Sequence, residues 1–145
     1  MRRPGFTLVE LIVVLAILAG IAALAAPSFS RTLASARLRT AASDVRTTLA
    51  RGRALAVAAA KERAVAFDLS RGEFGVDNEA VRRLPDTIRL GAVLPGEERR
   101  ERGSVRVRFF PDGSGKEAEI SVTAEDGGTL RVTVDPLTGL SEAGT

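Results

Sequence analysis

The sequence predicts an α+β fold: a long amino-terminal helix packed on an antiparallel sheet of five to seven strands. Three observations lead there. Residues 6–60 are helix-like, first uniformly apolar and then amphipathic. After Lys61 and Glu62 the hydrophobic period shortens to two, and the segments that follow are separated by turn sequences rich in glycine and aspartate.

The first element is residues 6–26, in which Glu10 is the only charged side chain. A helix of that length reaches about 32 Å at about 1.5 Å per residue, enough to cross the hydrocarbon core of a bilayer. Arg2 and Arg3 precede it, and by the positive-inside rule they keep this end cytoplasmic and send the remainder outward. A cleaved secretory signal is the plain alternative, with Ala23, Leu24 and Ala25 as an exit site. Against it, the apolar run exceeds the usual signal core and a helical pattern continues beyond it. A simple single-pass anchor leaves Glu10 unexplained, because an acid at the centre of a membrane helix costs about 2.5 to 3.5 kcal/mol. Nearer the interface the cost falls, but a partner for the carboxylate is still expected.

The second element is a helix over residues 28–60. Phe29, Leu33, Ala41, Val45, Leu49, Gly52, Ala56 and Ala59 recur at mostly three- or four-residue steps, and Arg31, Arg39, Asp44, Arg46 and Arg53 fall on other faces. The pattern predicts continuity with the apolar segment, one helix of about 80 Å. Pro27 lacks an amide donor and crowds the carbonyl of Ala23, so a kink is expected there, and Gly52 is a second weak point.

The third part is β-rich. "RAVAFDL" and "EFGVD" flank a turn at Ser70, Arg71 and Gly72 and read as a hairpin. "TIRLGAV", "SVRVRFF", "AEISVTA" and "TLRVTVD" supply further strands, with Val105, Val107 and Phe109 on one face of theirs and Arg106 and Arg108 on the other. "PDGSG" and "EDGG" are the intervening reversals. The expected organisation is therefore a leader at residues 1–5, a membrane helix at 6–26, an amphipathic helix at 27–60, and a β-rich domain at 61–145.

Composition narrows the function classes. The 145 residues carry 21 basic and 18 acidic side chains, a net charge of +3 of which Arg2 and Arg3 supply two, so a nucleic-acid binder is not implied. There is no cysteine, hence no disulfide or thiolate metal site, and no histidine, the commonest general base and metal ligand. The serines lack an evident activating base, and an enzyme is not expected. "GSGK" at residues 113–116 is not a phosphate loop: Phe110 stands where a glycine is required and Glu117 where a magnesium-binding hydroxyl is required. Asp112, Glu125, Asp126 and Asp135 lie at turns and follow no calcium-loop spacing, so no bound metal is expected. "EERRER", residues 97–102, reads as a solvated, mobile loop. The arginines Arg82, Arg83, Arg89, Arg99, Arg100 and Arg102 are interspersed with acids, which disfavours a phosphate-binding face.

"PGFTLVELIVVLAILAGIA" resembles the class III signal of type IV pilins and type II secretion pseudopilins: a short basic leader ending in glycine, then phenylalanine, then glutamate four residues on. With "FFPDGSG" leading into a strand and "VTVDPLTGL" near the end, the chain resembles the H-type minor pseudopilins, the GspH/FimT family. The resemblance implies a pilin-like fold, cleavage by prepilin peptidase between Gly5 and Phe6, and methylation of the new amine on Phe6. It also implies that Glu10 acts in assembly, pairing with the terminal amine of a neighbouring subunit's Phe6. Carboxylate and ammonium, each costly alone in lipid, attract strongly where the dielectric is low. The implied partners are the major pseudopilin, the I-, J- and K-type minor pseudopilins, the peptidase and methylase, and inner-membrane lipid. No cofactor is implied. The expected role is a structural subunit of the periplasmic pseudopilus that helps export folded proteins; the alternative is a FimT-like minor type IV pilin in pilus assembly or DNA uptake.

Overall fold

Helix α1 runs unbroken from Leu8 to Ala58, so the apolar and amphipathic segments are one element. The computed structural model describes residues 7–77 and 79–144, with the side chains of residues 23–31 left undescribed. The helix continues through Pro27, where a kink is expected, and the packing expected of Phe29 lies outside the described residues. The chain divides into two compact units, Met1–Leu33 and Ala34–Thr145.

In the second unit the helix buries a face made by Leu38, Ala41, Ala42, Val45, Leu49, Gly52 and Ala56. The three- and four-residue steps put these positions on one stripe. Leu33 and Ala59, assigned to that stripe from sequence, are exposed, while Leu38 and Ala42 belong to it. Gly52 is more than a weak point: a Cβ there would stand 2.6 Å from Val65 Cγ2, so the missing side chain lets the helix approach the strand beneath. The helix ends in a double reversal. The Lys61 amide donates to Ala56 O at 3.1 Å and the Ala60 amide to Val57 O at 3.2 Å, with Ala60 at a φ of 48°. These are the two bonds of a Schellman ending, with alanine where glycine is usual.

Among the described residues eight strands follow: β1 (Arg63–Asp68), β2 (Glu73–Val76), β3 (Arg82–Arg83), β4 (Ile88–Val93), β5 (Ser104–Phe109), β6 (Ala118–Ala124), β7 (Thr129–Val134) and β8 (Ser141–Gly144). The fold class is the expected α+β one, but the strands form two antiparallel four-stranded sheets, in the orders β3-β2-β1-β5 and β4-β6-β7-β8. The extra strands are those with no hydrophobic alternation to announce them. β3 is two exposed arginines held against Glu73 and Phe74, and β8 is the polar "SEAG", held by pairing with β7.

The sheets and the helix close over one core. Val65, Phe67, Val105, Val107 and Phe109 come from the first sheet, Ile120, Val122, Val132 and Val134 from the second, and Val45 and Leu49 from α1. The alternation expected of β5 holds, with Val105, Val107 and Phe109 buried and Arg106 and Arg108 exposed. Phe67 and Phe74 stack across the β1–β2 pair at a centroid distance of 5.7 Å.

The acidic turn residues build turns. Asp112 Oδ1 accepts from the Ser114 amide (2.9 Å) and hydroxyl (2.6 Å), and Asp126 Oδ1 from the Gly128 amide (3.1 Å). Asp135 Oδ1 accepts from the amides of Leu137 (2.9 Å) and Thr138 (2.8 Å) and from the Thr138 hydroxyl (3.0 Å). These bonds to the charged form hold both carboxyls below their ordinary range: for Asp112 the Ser114 hydroxyl acts most strongly, for Asp135 the Thr138 amide. Gly113 and Gly127 supply the positive φ that such reversals need, at 85° and 88°.

Candidate functional site

Of the three site residues expected from sequence, Gly5 and Phe6 lie outside the described residues, and Glu10 is described. Its local setting starts at Thr7, immediately before the helix. The Thr7 hydroxyl accepts from the Glu10 amide at 3.3 Å, and Thr7 O accepts from the Leu11 amide at 3.2 Å. Thr7 is therefore the N-cap and Glu10 the third helical residue. The signal for it in the sequence is "TLVE", which has the Ser/Thr-x-x-Glu spacing of a capping box.

The cap bears on what Glu10 can do. Its amide, one of the orphan donors of a helix start, is satisfied by Thr7. Its carboxylate is exposed and has no hydrogen bond or ion pair among the described residues. The first turn of a helix, where amide dipoles point outward, tolerates negative charge. The cap thus fixes the Glu10 main chain, and its carboxylate stands exposed at the helix start.

Around and beyond Glu10 the helix is apolar on every side. All described side chains of residues 8–22 are exposed, and even Val14, the least exposed of the large apolar ones, is 43% accessible. An α-helix hydrophobic all round belongs inside a larger assembly or in lipid, since water on every face is the costliest surrounding for it. Among the described residues, no helix is long and apolar enough to cross a membrane; the expected 6–26 segment is described only in part, Phe6 and the side chains of residues 23–26 being outside.

In the second unit, ion pairs and one guanidinium pin a loop, strand β3 and two turns to the helix. Arg51 Nε meets Glu79 Oε2 at 2.6 Å, and the Arg51 hydrogen bond holds the Glu79 carboxyl below its usual range and raises the arginine in turn. Arg82 meets Asp44 at 3.0 Å. Arg53 Nε donates to Gly113 O at 2.9 Å and to Thr138 O at 2.7 Å, tying the "PDGSG" and "DPLTG" turns to one helical position. From sequence Arg53 was only a residue off the buried stripe; its role depends on two loops 60 and 85 residues away along the chain.

The arginines weighed as a phosphate-binding face are mostly engaged. Arg82 pairs with Asp44, Arg83 with Asp86 (3.3 Å), Arg99 with Glu101 (3.5 Å) and Arg100 with Glu97 (2.8 Å). Arg89 and Arg102 have no ion pair among the described residues. The 97–102 loop is exposed as expected, but it is anchored rather than free. Ala92 and Arg100 exchange two main-chain hydrogen bonds of 2.8 Å, and Arg99 reaches the buried Ser121 hydroxyl at 3.1 Å. Among the described residues no group of three or more acids is placed to hold a metal ion.

Comparison with known proteins adds to this geometry. Residues 1–26 match the prokaryotic N-terminal methylation motif. No curated protein sequence matches the chain. Two solved structures share its fold, both of the minor pseudopilin EpsH from the type II secretion system of Vibrio cholerae. One superposes with a TM-score of 0.63 at 12% identity, covering 74% of this chain and 94% of that one. The other gives 0.62 at 13% identity, with 74% and 92% covered. The α+β architecture is therefore one this chain shares with EpsH, and the chain also carries the N-terminal methylation motif at residues 1–26.

Proposed function

We propose that this chain is a minor pseudopilin, a non-enzymatic structural subunit that enters a filament of a type II secretion system. The observation that carries the reading is the capped first turn of α1. It presents an exposed Glu10 carboxylate at the head of an all-round apolar helix, within the methylation motif of residues 1–26 and ahead of an EpsH-like body in the sequence. In this reading the chain is inserted in the inner membrane with residues 1–5 cytoplasmic. The leader is cut between Gly5 and Phe6, and the Phe6 amine is methylated. The subunit is then drawn into the filament, where Glu10 meets the Phe6 ammonium of a neighbour and the apolar helix exchanges lipid for other subunits' helices. The β-rich body lies in the periplasm, against the major and the I-, J- and K-type pseudopilins.

Because Thr7 already satisfies the Glu10 amide, the charge can be removed without undoing the helix start. Glu10→Gln should be inserted and cleaved normally but fail to co-purify with sheared filaments, whereas Thr7→Ala should weaken the helix start and leave the charge pair possible. Intact-mass analysis of the wild type should show a chain beginning at methylated Phe6. A mature start near residue 26, or full incorporation of Glu10→Gln, overturns the reading. Cross-linking only to type IV pilus subunits would reassign the system while keeping the assembly chemistry.

A further inference from the structure

The two sheets have four edge strands between them, and three of these are short or already met by other chain. β3 is two residues long, with Arg82 and Arg83 bound by Asp44 and Asp86. Ala92 of β4 exchanges main-chain bonds with Arg100, and Arg108 O of β5 accepts from the Lys116 amide at 2.8 Å. β8 is different: among the described residues no segment pairs with its outer side.

The register says which groups face out. The Asp135 amide donates to Leu140 O at 2.9 Å, and hydrogen-bonded and non-hydrogen-bonded pairs alternate along an antiparallel ladder. Thr133–Glu142 and Arg131–Gly144 are therefore the bonded pairs, while Ser141 and Ala143, opposite Val134 and Val132, turn amide and carbonyl away from β7. This edge is open to solvent. Glu142, Ala143 and Gly144 are all exposed, Ala143 and Gly144 have little or no side chain to cover the backbone, and a Cβ added to Gly144 would meet nothing within 4 Å.

The helix supplies charge beside the edge. Ser141 Oγ donates to Arg46 O at 3.3 Å, so the side chains of Ser141 and Ala143 lie on the helix face of the sheet and that of Glu142 on the other. From there β8 runs back along α1 toward Leu38, whose Cδ2 is 3.3 Å from the Cβ position of Gly128, just before β7. Arg39 and Arg46 share a seven-residue spacing with Arg53, which is tied to Thr138 O, so all three lie on the helix line next to β8. Arg39 and Arg46 are exposed and have no ion pair among the described residues. Between that line and Leu140 and Ser141 lies a groove of about 300 Å³.

We propose that the open edge of β8 receives an extended, acidic segment of a partner protein as a fifth strand of the second sheet, with its acids on the helix face against Arg39 and Arg46. The backbone of such a segment supplies both the donors and the acceptors that Ser141 and Ala143 leave unmet. Its side chains alternate between faces, so acids at every second position line the helix side and leave Glu142 unopposed on the other. A nucleic-acid backbone has no donor for the outward carbonyls. A second copy, pairing β8 with β8 antiparallel about a two-fold, brings Ser141 and Ala143 rather than an acid to the helix face. This edge is separate from Glu10, so the proposal stands or falls independently of filament entry.

The test uses the full chain in detergent micelles and a fluorescent, acetylated heptapeptide alternating glutamate and threonine, read by anisotropy. Saturable binding is expected, weakening with salt. It should fall at least about tenfold in Arg39→Glu/Arg46→Glu, which removes the charge-assisted contacts. A similar fall is expected in Ala143→Pro, which removes an outward amide at an edge position where proline is tolerated. Arg89→Glu/Arg102→Glu is an equal charge change at the opposite edge of that sheet, on β4 and in the loop beside it, and should leave binding unchanged. N-methylating the peptide at alternate amides should abolish binding for one alternate set and spare it for the other, because only every second amide faces the edge. Should Ala143→Pro lose its thermal transition, the two methylated peptides carry the same test on the wild-type chain. The proposal is overturned by an absence of saturable binding, by undiminished binding to the Arg39→Glu/Arg46→Glu variant or to folded Ala143→Pro, or by both methylated peptides behaving alike. It is equally overturned if single-stranded DNA of matched charge displaces the peptide at lower concentration, or if the chain forms a dimer that Ala143→Pro dissolves.

Discussion

Gly52 of α1 and Val65 of β1 are in such close register that a single added carbon on the glycine would stand 2.6 Å from Val65 Cγ2 and 3.4 Å from the ring of Phe109. Val65 and Phe109 are fully buried and are not free to swing aside. Gly52→Ala therefore sets two effects against each other. Alanine gains about 1 kcal/mol of helix propensity, while overpacking a buried site costs about 1 to 3 kcal/mol. Steric conflict should win, leaving a net destabilisation of about 1 kcal/mol in denaturant titration. Paired with Val65→Ala, the double variant should be more stable than the sum of the single effects, because the two residues share one space; simple additivity would refute the contact.

The carboxyl end of α1 offers the opposite substitution. Ala60 holds a φ of 48° to complete the two closing hydrogen bonds, a conformation that costs an L-residue about 1 to 2 kcal/mol. Glycine adopts it without that cost, though it has more freedom to lose on folding. Ala60→Gly should raise stability by up to about 1 kcal/mol, seen as a higher thermal midpoint. A lower midpoint would mean the ending is not held in this geometry.

Arg53 joins the helix to two turns through one nitrogen, and its loss should be felt in both. Arg53→Ala removes a charged donor from Gly113 O and Thr138 O, a loss of about 1.5 to 3 kcal/mol if the carbonyls are left without a replacement. Lysine cannot reproduce a planar guanidinium, so Arg53→Lys should rescue only part. Hydrogen exchange should show faster turnover at the Gly113 and Gly139 amides, which close these turns onto Phe110 O and Asp135 O. Exchange accelerating in one turn alone would contradict the shared tie.

Acid should loosen the same turns. Asp112 and Asp135 titrate lower in the folded chain than in the unfolded one, so their contribution is fully present above the ordinary carboxylate pKa and is lost as pH falls through the folded values. The thermal midpoint should be flat near neutrality and decline below about pH 4. Asp112→Asn/Asp135→Asn, whose amides do not titrate, should decline less steeply over that range; identical acid limbs would remove these carboxylates from the account.

Much of this was legible in the sequence, for identifiable reasons. The helix stripe through Ala41, Val45, Leu49 and Ala56 and the alternation of β5 were readable because one face of each is buried against a continuous core, which imposes a period on the residues. The acids at Asp112, Asp126 and Asp135 were readable as turn formers because their bonds reach only two or three residues along the chain. What escaped was set by distance. β3 and β8 exist through their partners rather than their own pattern, and the division into two sheets depends on β4 pairing with β6 instead of β5. At the amino terminus the motif points to Glu10, while Thr7 is marked only by its three-residue spacing from that acid, a local cue.

The order in which the strands join their sheets has a kinetic consequence. β4 enters the second sheet before β5 has completed the first, so neither sheet can be assembled from a contiguous stretch of chain. A polypeptide emerging from its amino terminus can form the β1–β2 hairpin early. It must then leave an unpaired edge on β1 and an unpartnered β4 until residues beyond Ser104 and Ala118 arrive. Long-range pairings of this kind delay the rewarding contacts until late in synthesis and expose strand edges in the interval. Release before the end of β5 would leave both sheets incomplete, and release between β5 and β6 would leave the first sheet's four strands present with β4 still unpartnered.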